Sequence, residues 1–171
     1  MSKDKIKKLI KAVPDFPING VSFKDISPLL REGFSLSIDE FEKLFTSAEW
    51  EQIDYLAGIE SRGFIFAAAL AERLGKGMVL IRKPGKLPGP TARMSCVLEY
   101  GETTLEMQYG EGNIVILDDV LATGGTLKAA ADLAVQTGYN VQGLGVLMSL
   151  THLNQFEWNG LQARTILEFT E

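Results

Sequence analysis

Hydrophobic positions along the chain follow two periods, and their alternation predicts strands separated by helices. Ile6, Leu9, Ile10 and Val13 lie at i, i+3, i+4 and i+7, one stripe of a short helix that Pro14 stops. From there to about Arg31, Pro14, Pro17, Gly20 and Pro28 break any period, which predicts an irregular arm packed over the main domain. Ser37-Ile38-Asp39-Glu40 has the spacing of a capping box and predicts a helix start, with Phe41, Leu44 and Phe45 inward. Tyr55–Ile59 reads as the first core strand, Phe64–Leu74 as a helix ended by Gly75, and Met78–Ile81 as the next buried strand. Ser95–Tyr100 and Thr103–Tyr109 alternate about Gly101-Glu102, a predicted hairpin turn. Ile114–Leu117 is a short apolar run of the kind a parallel sheet buries on both faces, and an Ala-, Leu- and Lys-rich helical run follows the turn after it. Val141–Leu150 and Thr165–Phe169 complete the strands. The class is α/β, a mostly parallel sheet flanked by helices with one antiparallel flap. No internal repeat or low-complexity tract interrupts it.

Composition narrows this picture without redirecting it. The 171 residues suffice for one full core, and 46% hydrophobic with 23% charged residues is ordinary for a globular chain. The single cysteine, Cys96, excludes an intrachain disulfide and points to a reducing, cytoplasmic setting. Lys3, Lys5, Lys7 and Lys8 interleave with Ile6, Leu9 and Ile10, an amphipathic pattern without a signal-peptide core. The longest apolar run, Phe64–Ala71, is too short to span a bilayer. A net charge of −5 argues against a general nucleic-acid partner. One stretch reverses that charge. Between Arg73 and Leu98 there is no Asp or Glu, while Arg73, Lys76, Arg82, Lys83, Lys86 and Arg93 are cationic, which marks an anion-binding surface. Pro84, Gly85, Pro88, Gly89 and Pro90 within it predict a mobile lid. A solvated basic loop is the plainer alternative.

The chemistry concentrates after Ile114–Leu117. Asp118 and Asp119 follow the strand at once, then Ala122-Thr123-Gly124-Gly125-Thr126 leads into the helix. With no bulky side chain in the turn, a ligand can lie against its backbone. Helix-start N–H groups and two threonine hydroxyls suit a phosphate monoester, and the carboxylates suit sugar hydroxyls or a divalent cation. Together they describe a phosphorylated ribose. The plainer alternative is a tight turn with Thr126 as N-cap and a solvated acid pair. A second strand-to-helix turn, Glu60-Ser61-Arg62-Gly63, would neighbour the first in a parallel sheet and present N–H groups to a diphosphate, with Arg62 at the ligand. Alternatively, Ser61 caps the helix and Arg62 is a surface charge. Cys96 reads as packing, and His152, without a second metal-type ligand nearby, as structural.

Val115–Thr126 resembles the phosphoribosyl-diphosphate (PRPP) binding motif of type I phosphoribosyltransferases. Four more blocks resemble the adenine-specific branch of that family: Asp15-Phe16-Pro17 with Gly20–Pro28, Gly58–Phe64, Leu80–Thr91, and Leu98-Glu99-Tyr100-Gly101. The resemblance implies the type I fold, with residues 1–34 as an N-terminal hood over the base and 35–171 as the core, including flap and mobile loop 82–109. It implies that Val21, Phe23, Lys24, Arg62, Val120 and Ala122 surround adenine. Asp118, Asp119 and Ala122–Thr126 would take the ribose and 5′-phosphate, and Glu60, Ser61, Arg62, Arg82, Lys83 and Lys86 the diphosphate. Glu99 stands where the family places its proposed catalytic glutamate. Arg82 stands where the family reaches into a partner subunit's site, so a homodimer is expected.

The implied reaction displaces diphosphate from PRPP by a ring nitrogen of adenine, giving AMP. Mg²⁺ is the expected cofactor, bridging the diphosphate and reached by Asp118 or Asp119 through water, because so charged a group departs poorly without a cation. Two alternatives remain at this stage. One is transfer to another purine or to orotate. The other is a non-catalytic PRPP-sensing regulator on the same fold, which would need neither Glu99 nor the basic loop.

Overall fold

Each hydrophobic run assigned to the core sheet pairs in parallel with its neighbours in the computed structural model, which describes residues 2–98 and 101–170. In chain order the elements are α1 (Ser2–Lys8), β1 (Lys11–Val13), β2 (Phe23–Asp25), α2 (Ser27–Glu32), α3 (Phe34–Glu42), α4 (Ser47–Glu51), β3 (Tyr55–Ile59), α5 (Arg62–Leu74), β4 (Gly77–Ile81), β5 (Thr91–Leu98), β6 (Gly101–Gln108), β7 (Gly112–Leu121), α6 (Gly125–Gln136), β8 (Tyr139–Leu150) and β9 (Arg164–Phe169). The main sheet has five strands in the order β4-β3-β7-β8-β9; β1-β2 and β5-β6 form separate two-stranded ribbons. Among the described residues no helix is long and apolar enough to cross a membrane.

Strand alternation explains how the sheet is buried on both sides. Val115 and Leu117 of β7 pack with Phe41, Phe66 and Leu70 under α3 and α5. Ile114 and Ile116, pointing the other way, pack with Leu127, Ala130 and Leu133 of α6. The β5-β6 flap lies on this second side, contributing Ala92, Cys96, Leu105 and Met107 to the same cluster. Fully burying a Phe or Leu is worth about 1.5–3 kcal/mol, so these two layers carry the fold. Gly75 ends α5 as expected, at φ 64°, a conformation a side chain would strain.

Several boundaries differ from the sequence reading. The N-terminal helix stops at Lys8, and Val13 belongs to β1, where it pairs with Phe23. The arm is therefore not wholly irregular. It holds the β1-β2 ribbon and α2, whose Ile26 and Leu29 anchor it in the core. Ser37 does not begin a helix: it is buried inside α3, and its hydroxyl donates to Phe34 O at 2.6 Å. The capping box is one helix later, where Glu49 N donates to Thr46 Oγ1 (3.2 Å) and Thr46 N to Glu49 Oε2 (2.7 Å). β4 is an edge strand and only Ile81 in it is buried, because nothing pairs on its outer side. Gly101 and Glu102 lie in β6, opposite Leu98 and Val97, rather than in the turn.

Candidate functional site

β7 runs on through Asp118, Asp119 and Val120 to Leu121, because β8 keeps pairing beside it. The acids thus sit in a strand, held by its ladder, and not in a free loop. α6 then starts at Gly125 after Gly124 at φ 94°, and no side chain caps it, so Thr126 is not the N-cap. The first main-chain donor returned to the helix is Lys128 N, to Gly124 O at 2.9 Å. The amides of Gly125, Thr126 and Leu127 precede the first intrahelical bond and line a cleft of about 220 Å³ with Leu98, Asp118, Val120, Leu121 and Ala122–Gly124.

The turn is braced from behind by residues the sequence reading passed over. Asn154 Nδ2 donates to Ala122 O and Leu150 O, both at 2.9 Å, and the Phe156 ring lies where a Cβ on Gly124 would come within 2.6 Å. No periodic or motif signal marks Asn154, which lies in the turn beyond β8. A Cβ on Gly125 would come within 2.1 Å of Val97 O, so what lies against this glycine is the main chain of the flap.

Asp118 is half-buried, and its Oδ1 accepts from Asp119 N at 2.9 Å. Burial, and then the Asp119 charge, push the Asp118 carboxyl well above the usual carboxylate range. Asp119 is buried. Its Oδ2 lies 2.8 Å from Arg62 Nε, but off the N–H direction, so it has a charge beside it and no hydrogen-bond donor. A buried acceptor in that state fits a sugar hydroxyl, and a hydrated cation fits the pair. Among the described residues no three His, Cys, Asp or Glu side chains converge on one point.

The second turn is adjacent, since β3 pairs with β7 and Gly58 stands opposite Leu117. α5 begins so close to β7 that a Cβ on Gly63 would come within 2.8 Å of Leu117 O. Ser61 is exposed and its hydroxyl does not cap the helix. Arg62 is no surface charge. Apart from its charge contact with Asp119, its Nη1 donates to Lys24 O at 3.2 Å, and its guanidinium stacks 4.7 Å from the Phe23 ring centroid, which Phe16 meets edge-on at 5.1 Å. Val21, Val120 and Ala122 are half-buried nearby in the chain. The Lys24 ammonium points elsewhere, 5.0 Å over the Phe169 ring, so only its carbonyl faces Arg62.

Glu60 faces the basic loop. Its carboxylate accepts from Lys83 N at 2.8 Å and from Arg82 Nη2 and Nε at 3.2 and 3.3 Å, and the Lys83 amide and then Arg82 hold it below its ordinary value. Being negative, Glu60 engages these donors and has no attraction of its own for an anion. The Lys83 and Lys86 side chains are exposed. Glu106, buried in β6, takes Lys86 N and Leu87 N on Oε1 at 2.9 and 2.8 Å and Arg93 Nε on Oε2 at 3.3 Å. Burial opposes its charge, but the Gly85, Leu87 and Lys86 amides outweigh it and the carboxyl sits low. Cys96 is buried, which pushes its thiol up; His152 is exposed in the turn after β8, so it packs nothing. Glu99 lies outside the described residues.

The geometry thus gathers an uncapped, amide-lined helix start, an acid pair, an arginine shared with the N-terminal arm, and a cationic loop at the carboxyl ends of the strands. The Phosphoribosyl transferase domain family matches residues 31–149. The adenine phosphoribosyltransferase of Hydrogenovibrio crunogenus is 48% identical over 172 residues, covering all of both chains. That of Bdellovibrio bacteriovorus is 48% identical over 164 residues, covering 96% of this chain and 99% of the other. Among solved structures, the Thermoanaerobacter pseudethanolicus adenine phosphoribosyltransferase superposes with a TM-score of 0.86 at 38% identity, covering 98% and 99% of the two chains. The Saccharomyces cerevisiae one, in complex with an imino-altritol bisphosphate and adenine, superposes with a TM-score of 0.83 at 36% identity, covering 96% of each. On sequence and on fold alike, this chain belongs to the phosphoribosyltransferase family, in its adenine phosphoribosyltransferase branch.

Proposed function

We propose that this chain transfers 5-phosphoribose from PRPP to adenine, giving AMP and diphosphate. The observation that carries this reading is the continuity of an uncapped, amide-lined helix start with an acid pair one strand-end away. Ala122–Thr126 hold the 5′-phosphate, and Asp118 and Asp119 the ribose hydroxyls, with the donor-less Oδ2 of Asp119 as one acceptor. The C1′–O bond breaks with its electron pair leaving on diphosphate, and a purine ring nitrogen forms the new bond to C1′. Arg82, Lys83 and Lys86 stabilise the departing charge, and Glu60 and Ser61 frame that subsite. Asp118 or Asp119 would hold a hydrated magnesium ion, which would supply countercharge to the departing diphosphate.

Residues 1–34 form the hood and 35–171 the core. Adenine lies beneath the hood among Val21, Phe23, the Lys24 carbonyl, Arg62, Val120 and Ala122, where main-chain groups read its edge. Glu99 takes the proton that adenine gives up; a Glu99→Gln variant then loses turnover by roughly 10²–10⁴ while keeping PRPP affinity, and equal turnover would remove that role. The chain works in the cytoplasm as a homodimer. In the single chain Arg82 is tied to Glu60, so a reach into the partner's site requires that pair to open. The deciding experiment incubates the protein with adenine, PRPP and Mg²⁺ and assays AMP, with guanine, hypoxanthine and orotate in parallel. AMP formed from adenine alone is the expected result, and transfer to another base, or none, overturns it.

A further inference from the structure

Glu106 is the unexpected acid of the flap. Its strand neighbours Leu105 and Met107 point into the apolar cluster beneath α6, so the alternation sends Glu106 to the other face. There it is only 1% exposed, and what covers it is the basic loop itself. Glu106 meets two stretches of that loop. At its start, main-chain bonds join Arg82 N to Glu106 O (3.0 Å) and Glu106 N to Arg82 O (2.7 Å). In its middle, the carboxylate takes the amides of Lys86 and Leu87; its remaining partner, Arg93, stands opposite it in β5, within the flap itself.

A carboxylate buried in this way is costly unless every lone pair finds a donor, and the donors come from the loop. Undocking would strip it of those amides and return it to water. Its other ties are Gln108 Nε2 on Pro88 O (2.9 Å), Glu60 on Lys83 N and on the Arg82 guanidinium, and Arg82 Nη1 on Lys86 O (3.4 Å), none of which reaches the Lys86 and Leu87 amides. The Arg93 side chain is more than half exposed, so solvent screens its pairing with Glu106.

We propose that Glu106 is a positioning residue for diphosphate, fixing the shape of the loop that carries Arg82, Lys83 and Lys86 through the Lys86 and Leu87 amides without touching the ligand. This rests on the reading that those cations take the diphosphate. Glu106 is then required for the pyrophosphate half of the reaction and not for the nucleotide half.

The test uses Glu106→Ala and Glu106→Gln in the full chain, with hydrogen–deuterium exchange of the 83–90 segment and titrations with Mg-diphosphate and with AMP. Expected are faster exchange in that segment, diphosphate affinity lower by about tenfold, as loss of hydrogen bonds to a charged group implies, and AMP affinity within about twofold. Glu106→Gln keeps the shape and one acceptor oxygen, so it decides if Glu106→Ala fails to fold. Unchanged loop exchange, or equal loss of AMP and diphosphate binding, overturns the proposal. A control pairs Lys83→Ala with Lys86→Ala. Unmoved diphosphate affinity there overturns the underlying assignment, and the proposal with it. A tenfold loss there beside wild-type diphosphate binding in the Glu106 variants overturns the proposal alone.

Discussion

The two regions to which we assign the anions are built on opposite plans. The turn after β7 carries no charge of its own from Val120 to Leu127; it offers helix-start amides, and its conformation is held by Gly124 at φ 94°, by Asn154 and by Phe156. The loop between β4 and β5, from Arg82 to Pro90, offers cations, and it is held by carboxylates, Glu60 at one side and Glu106 beneath. The first is anchored in a five-stranded parallel sheet, the second hangs on a two-stranded flap. The difference suits ligands with different fates. A 5′-phosphate stays with the ribose throughout and is best met by fixed dipoles. A diphosphate must depart, and is better met by groups that can move off with the loop.

The comparison breaks most sharply at the acid pair between them. Replacing Asp118 and Asp119 together by Asn should cut transfer by roughly 10²–10³ with circular dichroism unchanged, and retained turnover would detach the ribose clamp from the cradle. Gly124→Ala comes next. It puts a side chain at φ 94° and against Phe156, so it should cost roughly 1–3 kcal/mol in thermal unfolding and weaken AMP binding in parallel. Lys83→Ala with Lys86→Ala should weaken diphosphate binding about tenfold and spare AMP; calorimetric titration of both ligands checks it. The smallest effect lies far from either region and serves as a baseline. Glu49 is held down to about 2 by hydrogen bonds from Arg164 and then the Thr46 amide. A depressed carboxylate contributes stability above its unfolded value of 4.5 and loses it as pH falls toward 2. Glu49→Gln should therefore lower the thermal midpoint at neutral pH, with the gap closing through that acid window.

The strand–turn–helix order of β7 and α6 was legible in the sequence because apolar run, acids and glycines are all local and in order. β3 and the end of α5 were legible for the same reason, an apolar run closed by a glycine. Two stretches, Ser37-x-x-Glu40 and Thr46-x-x-Glu49, satisfy the same capping pattern, and burial of Ser37 inside α3 decides between them. The depth of β4 depended on its edge position, which no run of four residues reveals. Asn154 and Glu106 act across 32 and 20 residues of chain, so neither leaves a spacing to read. The cationic run was visible, but the acids that shape it lie outside it.

Arg62 makes one ion answer to two neighbours. It meets Asp119 on the sugar side, and the Lys24 carbonyl and the Phe23 ring on the hood side. Whatever draws the guanidinium toward one of them changes its hold on the other. Were ligands to bind both beneath the arm and at the strand end, Arg62 is the contact through which they would be coupled, and coupling between equilibrium affinities is reciprocal.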